Sequence, residues 1–455
     1  MHEFASGDFH GICSYYRNSV SIMYCIQPQN LLSMGWPAET DSAGLLRPSQ
    51  RPISNQDRND GMSLGDTALV AQLKTLADER LARVRRKMEA EGYDLVVVAS
   101  PENVLYAAGY ESMGATINRR YDYAALITRD TVLLVAPAAD FAPAIDAGLI
   151  PDDIFPFGKF FFSGSTPSAH TAVRHTSFSD AFEAAMRRVR ANRIVAEKAY
   201  LPHTAIDHLV RKDGDIADAT SWMFAVRAVK LPFEVRLLRY ATEITQQAID
   251  AGITAARVGM TDKEVASVVA SRMSLGGGLP RNVTVVGGER SALADAMSSE
   301  RPLQKGDLLR FDVGCSYYGY KSDMARTAVI GKPSSLQSER YTALLEGLLV
   351  AIDRMRPGTR ARDVFAAGVA AVEDHGLKPF RRQHIGHAIG MAVYEAPVIT
   401  PESEDILVAG TAFCLETPYY EPGWGGMMVE DTGTLTEEGF QLFSSSDRTL
   451  RIVAD

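Results

Sequence analysis

The stretch QHIGHAIG, residues 383–390, puts His384 and His387 three positions apart in a setting too rich in glycine for a stable helix. Imidazole is a common metal ligand, but a lone histidine is more often a satisfied core or surface residue. The reading therefore turns on whether other ligand-type side chains converge on it. Two further stretches supply them. LLRFDVGCSYYGYKSDMARTAVIG (308–331) reads as a hairpin whose two apolar strands flank SYYG. Asp312 and Asp323 are equidistant from the midpoint between Tyr317 and Tyr318. With the turn there they are cross-strand partners on one face, with Cβ atoms about 4.5–5.5 Å apart. In another register each is a solvated strand-end residue. AFCLETPYYEPGWGGMMVEDTGTLTEEG (412–439) repeats the device: Glu416 and Glu430 are equidistant from Gly423, and EPGWG supplies the turn. Glu416 is embedded in the apolar run AFCLE, where an unpaired charge is costly, whereas Glu437 and Glu438 sit in a polar turn as solvated charges.

Two carboxylates held this close repel unless a proton or a cation lies between them. Four carboxylates and an imidazole make a donor set for two divalent ions, with Mn²⁺, Co²⁺ and Zn²⁺ all compatible. Such a pair, about 3.5–4 Å apart, needs bridging carboxylates and lowers the pKa of a bound water from about 15.7 toward roughly 7.

Those side chains need a frame. From about residue 70 the pattern is globular: LKTLADERLARVRRKMEAEG reads as an amphipathic helix stopped by Gly92, and YDLVVVAS as a buried strand. YAALIT, TVLLVAP and RIVAEK are further strands, separated by helical stretches such as DAFEAAMRRVRA. This alternation predicts an α/β domain over 71–222, without the glycine fingerprint of a dinucleotide site. A second domain, 225–455, opens with a helix that has Pro232 near its start and Leu237, Leu238, Ala241, Ile244 and Ala248 at helical spacing. That helix is expected to end near Gly259, and Thr261 with Glu264 forms a capping box for the next. RVGMTDKEVASVVA (257–270) resembles RPGTRARDVFAAGV (356–369), each preceded by a longer helix. A duplicated helix pair explains the match, as chance also does, and duplicated halves often place a site on the axis between them.

The 455 residues are too many for one ordinary domain, and 46% hydrophobic content allows a packed core. A formal net charge of −9 argues against a general nucleic-acid binder, and no apolar run is long enough to span a bilayer. Cys13, Cys25, Cys315 and Cys414 have no metal-type spacing and are too few for a disulfide framework, so a reducing, cytoplasmic setting is expected. Cys315 and Cys414 lie near the ligand-type residues, but without a companion base they read as small packing side chains rather than nucleophiles. Tyr317, Tyr318, Tyr419 and Tyr420 either line a pocket or pack at hairpin ends, with packing preferred. Residues 1–70 read as a disordered or mis-assigned N-terminal extension. Its run SVSIMYCI is short, follows Glu3 and Asp8 and lacks a small-residue cleavage site, and Met62 is an alternative start.

The segments FDVGCSYYGYKSDMART, GHAIGMAVYEAP and ETPYYEPGWGGMMVEDTGTLTEEG, in that order and spacing, resemble the pita-bread metallopeptidases and their relatives: prolidase, Xaa-Pro aminopeptidase, methionine aminopeptidase and creatinase. The resemblance covers 225–455, and the domain before it resembles a creatinase-type N-terminal domain. It implies an α/β domain followed by an α+β pita-bread catalytic domain. It also implies roles: Asp312 on one metal, Asp323 and Glu430 bridging, His387 and Glu416 completing the other, and Glu416 handling the proton of a bridging water. His384 would line the site, in a structural or a catalytic role, and Arg326 would make a structural ion pair.

The chain departs from that pattern in places. The peptidases usually read VHE where this chain has VYE, which puts Tyr394 at a substrate-contacting position. They often have an arginine, as in VRIED, where MMVED has Met428, and ETP stands for the usual EPG. ERSALADAMSSERP lacks their upstream substrate histidine. The implied activity is a metal-dependent hydrolase of the Xaa-Pro aminopeptidase or dipeptidase type, cleaving a small peptide or amide by metal-bound hydroxide. Mn²⁺ is the first choice of ion, with Co²⁺ or Zn²⁺ behind it, and a homodimer is expected. The same fold also hosts non-peptide C–N hydrolases and lyases, and binding modules that have lost the ligands.

Overall fold

The computed structural model describes residues 67–118, 121–160, 174–213 and 216–454. The extension expected over 1–70, with SVSIMYCI, Cys13, Cys25 and Met62, lies outside them, except that the first helix, Thr67–Glu91, already begins within it.

The first domain is a six-stranded sheet of β1 (Leu95–Val98), β2 (Ala124–Ile127), β3 (Val132–Pro137), β4 (Ile154–Phe157), β5 (Ile194–Ala196) and β6 (Ala217–Asp218), in the order β4-β3-β2-β1-β5-β6. β1, β2 and β3 pair antiparallel, and the outer pairings are parallel. Every residue of LVVV in β1 is buried, as a central strand covered on both faces requires. One cover is the helix Phe178–Arg188, capped by a Ser177–Asp180 box, which lays Phe178, Phe182, Ala185 and Met186 against Leu95, Val97, Leu126 and Val135. The helix Ala219–Arg227 then runs across the boundary expected at 222–225.

The second domain has a ten-stranded sheet. Its main path is β12-β11-β13-β16-β10-β8-β7, from β7 (Leu279–Gly287), β8 (Leu308–Tyr317), β10 (Met324–Ile330), β11 (Gly386–Ala388), β12 (Glu395–Val398), β13 (Ala412–Glu416) and β16 (Glu430–Thr436). The short β9 (Tyr320–Lys321) extends the turn of the β8 hairpin, β17 (Gly439–Leu442) pairs with β16 and β18 (Arg451–Val453) with β10. Between β13 and β16 in the chain, β14 (Tyr419–Glu421) and β15 (Gly425–Met427) form a separate two-stranded sheet. The duplicated helix pair is present. A helix of 24 residues, Pro232–Ala255, precedes Asp262–Leu275, and one of 20, Ser335–Arg354, precedes Ala361–Asp374. The first ends at Ala255, before Gly259, and Thr261 with Glu264 caps the second as expected. The turns between the helices match in detail. Gly259 and Gly358 adopt φ 83° and 87°, and their N–H groups donate to Leu303 O and Leu407 O at 2.8 and 2.9 Å.

The halves meet where β10 pairs with β16 at Ala325↔Glu430. Strand alternation then sorts the side chains. Phe413 and Leu415 of β13 join Leu344, Leu348, Val364 and Val372 in the helix-covered core, which turns Cys414 and Glu416 to the opposite face. On β8, Phe311 meets the first helix pair beside Gly252, and Asp312 faces the other way.

Candidate metal centre

The second hairpin has the expected register: Glu416 pairs with Glu430, and the same alignment continues through Tyr420↔Gly426 toward the tip. The first does not. It turns at Tyr318–Gly319, so Tyr317 pairs with Tyr320 and Asp312 with Ala325 rather than with Asp323. The reason is turn chemistry: Tyr318 at φ 48° and Gly319 at φ 85° form a two-residue connection with both central residues left-handed, as a type I′ hairpin needs. Gly319 suits the second of those positions, a signal that the symmetry reading passed over. A two-residue slip keeps side chains on the same face, so Asp312 and Asp323 still look to one side, diagonally. Asp323 immediately precedes β10 and lies near Gly314, where a Cβ would stand 2.1 Å from Ser322 O. The absent side chain is what lets the two chains approach there.

His387, buried on β11, pairs in register with Cys414. Its Nδ1 donates to Ala388 O at 3.1 Å, because a carbonyl can only accept. That fixes the tautomer and leaves the Nε2 lone pair free, 3.8 Å from Asp323 Oδ2. The Tyr394 ring stacks on the imidazole with centroids 3.9 Å apart. His384 Nδ1 stands 2.8 Å from Glu416 Oε1, close but not aligned as a hydrogen bond. Asp312 is held by Arg310, Nη1 to Oδ2 at 3.1 Å, and Arg310 is itself fixed by the carbonyls of Ser291, Leu293 and Ala294. The Tyr420 ring lies 5.1 Å from the Arg310 guanidinium and 5.6 Å from that of Arg382, which makes it a wall of the site as well as a packing residue.

The electrostatics show what this cluster is suited to hold. Burial, then repulsion from the other carboxylates, pushes Asp323 and Glu430 well above the usual carboxylate range. Burial raises Asp312 to about 6 despite Arg310, and burial pushes His387 down. Burial and the charges of Glu416, Asp323 and Glu430 raise Tyr394, so its hydroxyl lies in the field of the cluster although the residue is 53% exposed. Asp323 Oδ1, Glu416 Oε1 and Glu430 Oε2 are buried with no hydrogen-bond partner. Buried polar atoms are ordinarily satisfied, and orphaned acceptors on neighbouring buried carboxylates fit a bound cation.

The sequence reading gathered Asp323, His387, Glu416, Glu430 and His384, and these do meet; Asp312 joins them through the diagonal register. Arg326 makes its ion pair with Asp431 at 2.9 Å, both side chains fully buried, and also donates to Glu430 O. Met428 is buried and receives the Tyr420 hydroxyl at 3.8 Å from its sulfur. Arg310 was missed, and Cys414 was read as a packing side chain. Arg310 and Cys414 stand two places before Asp312 and Glu416, a spacing that puts each on its ligand's face. Glu395 was also missed: its buried carboxylate takes Arg227 at 3.1 Å and Lys230 at 2.9 Å. A contact across 165 residues leaves no local signal. Among the described residues no helix is long and apolar enough to cross a membrane.

Comparison with known proteins agrees with this geometry. The profile of metallopeptidase family M24 matches residues 236–437, and that of the creatinase/prolidase N-terminal domain matches 80–229. The chain is 25% identical over 376 residues to a Pyrococcus furiosus Xaa-Pro dipeptidase, covering 82% of this chain and 99% of that one. It is 30% identical over 250 residues to the Xaa-Pro dipeptidase of Lactobacillus delbrueckii subsp. lactis, covering 54% and 68%. The crystal structure of dipeptidase PepE from Mycobacterium ulcerans superposes with a TM-score of 0.70 at 25% identity, covering 84% of this chain and 99% of that one. The Pyrococcus horikoshii prolidase superposes with 0.68 at 24% identity, covering 82% and 99%. With its pita-bread domain behind a creatinase-type N-terminal domain, the chain belongs to metallopeptidase family M24.

Proposed function

We propose that the protein is a metal-dependent Xaa-Pro dipeptidase or aminopeptidase acting on small peptides. The observation that carries this is the in-register pair Glu416–Glu430 beside Asp323 and His387, with three buried carboxylate oxygens left unpaired, in a family whose similar members are named Xaa-Pro dipeptidases. Asp312, Asp323, His387, Glu416 and Glu430 would hold two divalent ions, with Asp323 and Glu430 shared between them. Four carboxylates balance the charge of two dications, and their hard oxygens favour Mn²⁺ over Co²⁺ or Zn²⁺. When bound, the ions supply a Lewis acid for the scissile carbonyl and an acidified water.

The rest falls to the chain's own side chains. Glu416 takes the proton of the attacking water and passes it to the leaving nitrogen, and His384, 2.8 Å away, orients that carboxylate. Tyr394 offers its hydroxyl to the substrate above His387. Arg310 holds Asp312 at one edge, so that this ligand need not reorganise on binding. The reading includes a homodimer in the cytoplasm. Cys315 and Cys414 are free and buried, which fits a reducing compartment.

A non-peptide C–N hydrolase is the second reading. Tyr394 and Met428 favour it, since neither carries a charge with which to clamp a peptide. Each charge-assisted contact missing from the transition state removes roughly 1.5–3 kcal/mol, or about ten- to a hundredfold in rate. The test is kcat/KM on Xaa-Pro dipeptides, longer Xaa-Pro peptides and non-peptide amides, after chelation and after reconstitution with each ion. Turnover should vanish on chelation and return with metal, fastest on an Xaa-Pro peptide but slowly for the family. Faster turnover of a non-peptide amide would replace the first reading with the second, and metal-independent turnover would sink both.

A further inference from the structure

Cys414 lies inside the metal cluster rather than beside it. On β13 it shares the face of Glu416, its register partners are His387 on β11 and Thr432 on β16, and it is fully buried. Its Sγ and carboxylate oxygens of Asp323 and Glu430 all lie within 4.8 Å of one another. Asp323 and Glu430 each present a buried oxygen without a hydrogen-bond partner. A sulfur and two carboxylates thus converge on one point, with one buried oxygen of each carboxylate left unpartnered.

We propose that Cys414 is a sulfur donor to this centre, which biases the position shared by Asp323 and Glu430 toward a thiophilic dication, Co²⁺, Zn²⁺ or Cd²⁺, and away from Mn²⁺. The inference rests on the metal-centre reading above and changes its choice of ion. Oxygen donors alone suit Mn²⁺, whereas a thiolate adds a soft ligand that selects later or heavier ions. Ligation would give the sulfur lone pair to the cation and displace the thiol proton. The surroundings accommodate that loss. Cys414 Sγ donates to Asp323 O at 3.3 Å, but the Thr432 hydroxyl also reaches that carbonyl at 2.6 Å, so Asp323 O keeps a donor. Cys315 is a natural control: it is free and equally buried, but its Sγ meets Ala241 O of the helix Pro232–Ala255 at 3.4 Å, on the helix-facing side of β8.

The experiment loads metal-free full-length protein with Co²⁺ and records its absorption. The expected wild-type spectrum has visible d–d bands and a near-ultraviolet sulfur-to-cobalt charge-transfer band. Cys315→Ser should keep both, and Cys414→Ser should keep the d–d bands and lose the charge-transfer band. In competition titrations Cys414→Ser should lower the preference for Co²⁺ over Mn²⁺ by roughly ten- to a hundredfold. Wild-type d–d bands without charge transfer, or a charge-transfer band that survives in Cys414→Ser, would overturn the inference and leave the metal centre standing. Wild-type protein with no d–d bands would overturn the centre and the inference together. Should Cys414→Ser fail to fold, cadmium NMR of wild-type protein decides: a sulfur-shifted resonance supports the assignment, and one in the oxygen and nitrogen range overturns it.

Discussion

Asp323 has to be both buried and charged, and the Asn282 side chain offsets that only in part. Its Oδ1 has no partner, burial and its neighbours resist its ionisation, and His387 Nε2 stands 3.8 Å from its other oxygen. A divalent ion resolves the conflict. Asp323→Ala should therefore fold, because it removes a buried carboxyl that resists ionisation in the metal-free protein, yet it should lose metal and turnover together. A thermal-shift titration checks this. At an ion concentration about 100 times Kd the wild type gains ~2.7 kcal/mol, and the variant should gain almost nothing. An equal gain in both proteins would remove Asp323 from the ligand set. Arg326→Lys makes a useful contrast. That guanidinium serves Asp431 and the backbone at Glu430, so the expected loss is in stability rather than in metal stoichiometry.

At the scale of the element, the two hairpins deliver their carboxylates by different devices. β13 and β16 put Glu416 directly opposite Glu430, so regular pairing is enough. The β8–β10 hairpin slips by two residues and brings Asp323 in through an unpaired step beside Gly314. A Cβ at Gly314 would lie 2.1 Å from Ser322 O and 2.8 Å from Asn282 Oδ1, and the first of these is backbone. Gly314→Ala must push the Ser322–Asp323 step away. The expected result is a destabilisation of about 1–3 kcal/mol with weakened metal binding. Chemical denaturation and metal titration of the same preparation check it, and unchanged metal affinity would show that Asp323 is not held by this approach.

Across the whole molecule, a buried polar chain ties the first domain to the site. Glu197 of the N-terminal domain accepts from Ser100 N at 2.8 Å and from the Asn103 amide, and Asn103 Oδ1 accepts from Arg227. Arg227 and Lys230 then bind Glu395, which follows Tyr394 directly and also accepts from Ala392 N. Burial alone would raise the Glu395 carboxyl, but Lys230 and Arg227 more than reverse it and hold it below the usual range. A depressed carboxyl contributes stability that is fully present above the unfolded pKa, about 4.3, and is lost as pH falls through the lower folded value. Glu395→Gln should be destabilised by about 3–5 kcal/mol at neutral pH, because it strands two buried cations. Its melting temperature should also fall less steeply between neutral pH and strong acid than that of the wild type. Parallel acid limbs in a thermal scan would show that Glu395 does not carry this linkage.

What the sequence determined by itself is local or periodic. The buried run LVVV, the helix starts at Pro232 and Thr261, the paired helices and the Glu416–Glu430 register all follow from short-range pattern and turn chemistry. The first hairpin was legible in kind but not in register, because its turn depends on Tyr318 and Gly319 adopting left-handed backbone, which symmetry about a midpoint does not reveal. Only tertiary structure decided that Arg227 and Lys230 close on Glu395, that Tyr420 lies near both Arg310 and Arg382, and that Cys414 faces Asp323. Those contacts join residues far apart in the chain, and their energy comes from burial and charge pairing that exist only once the sheet has closed.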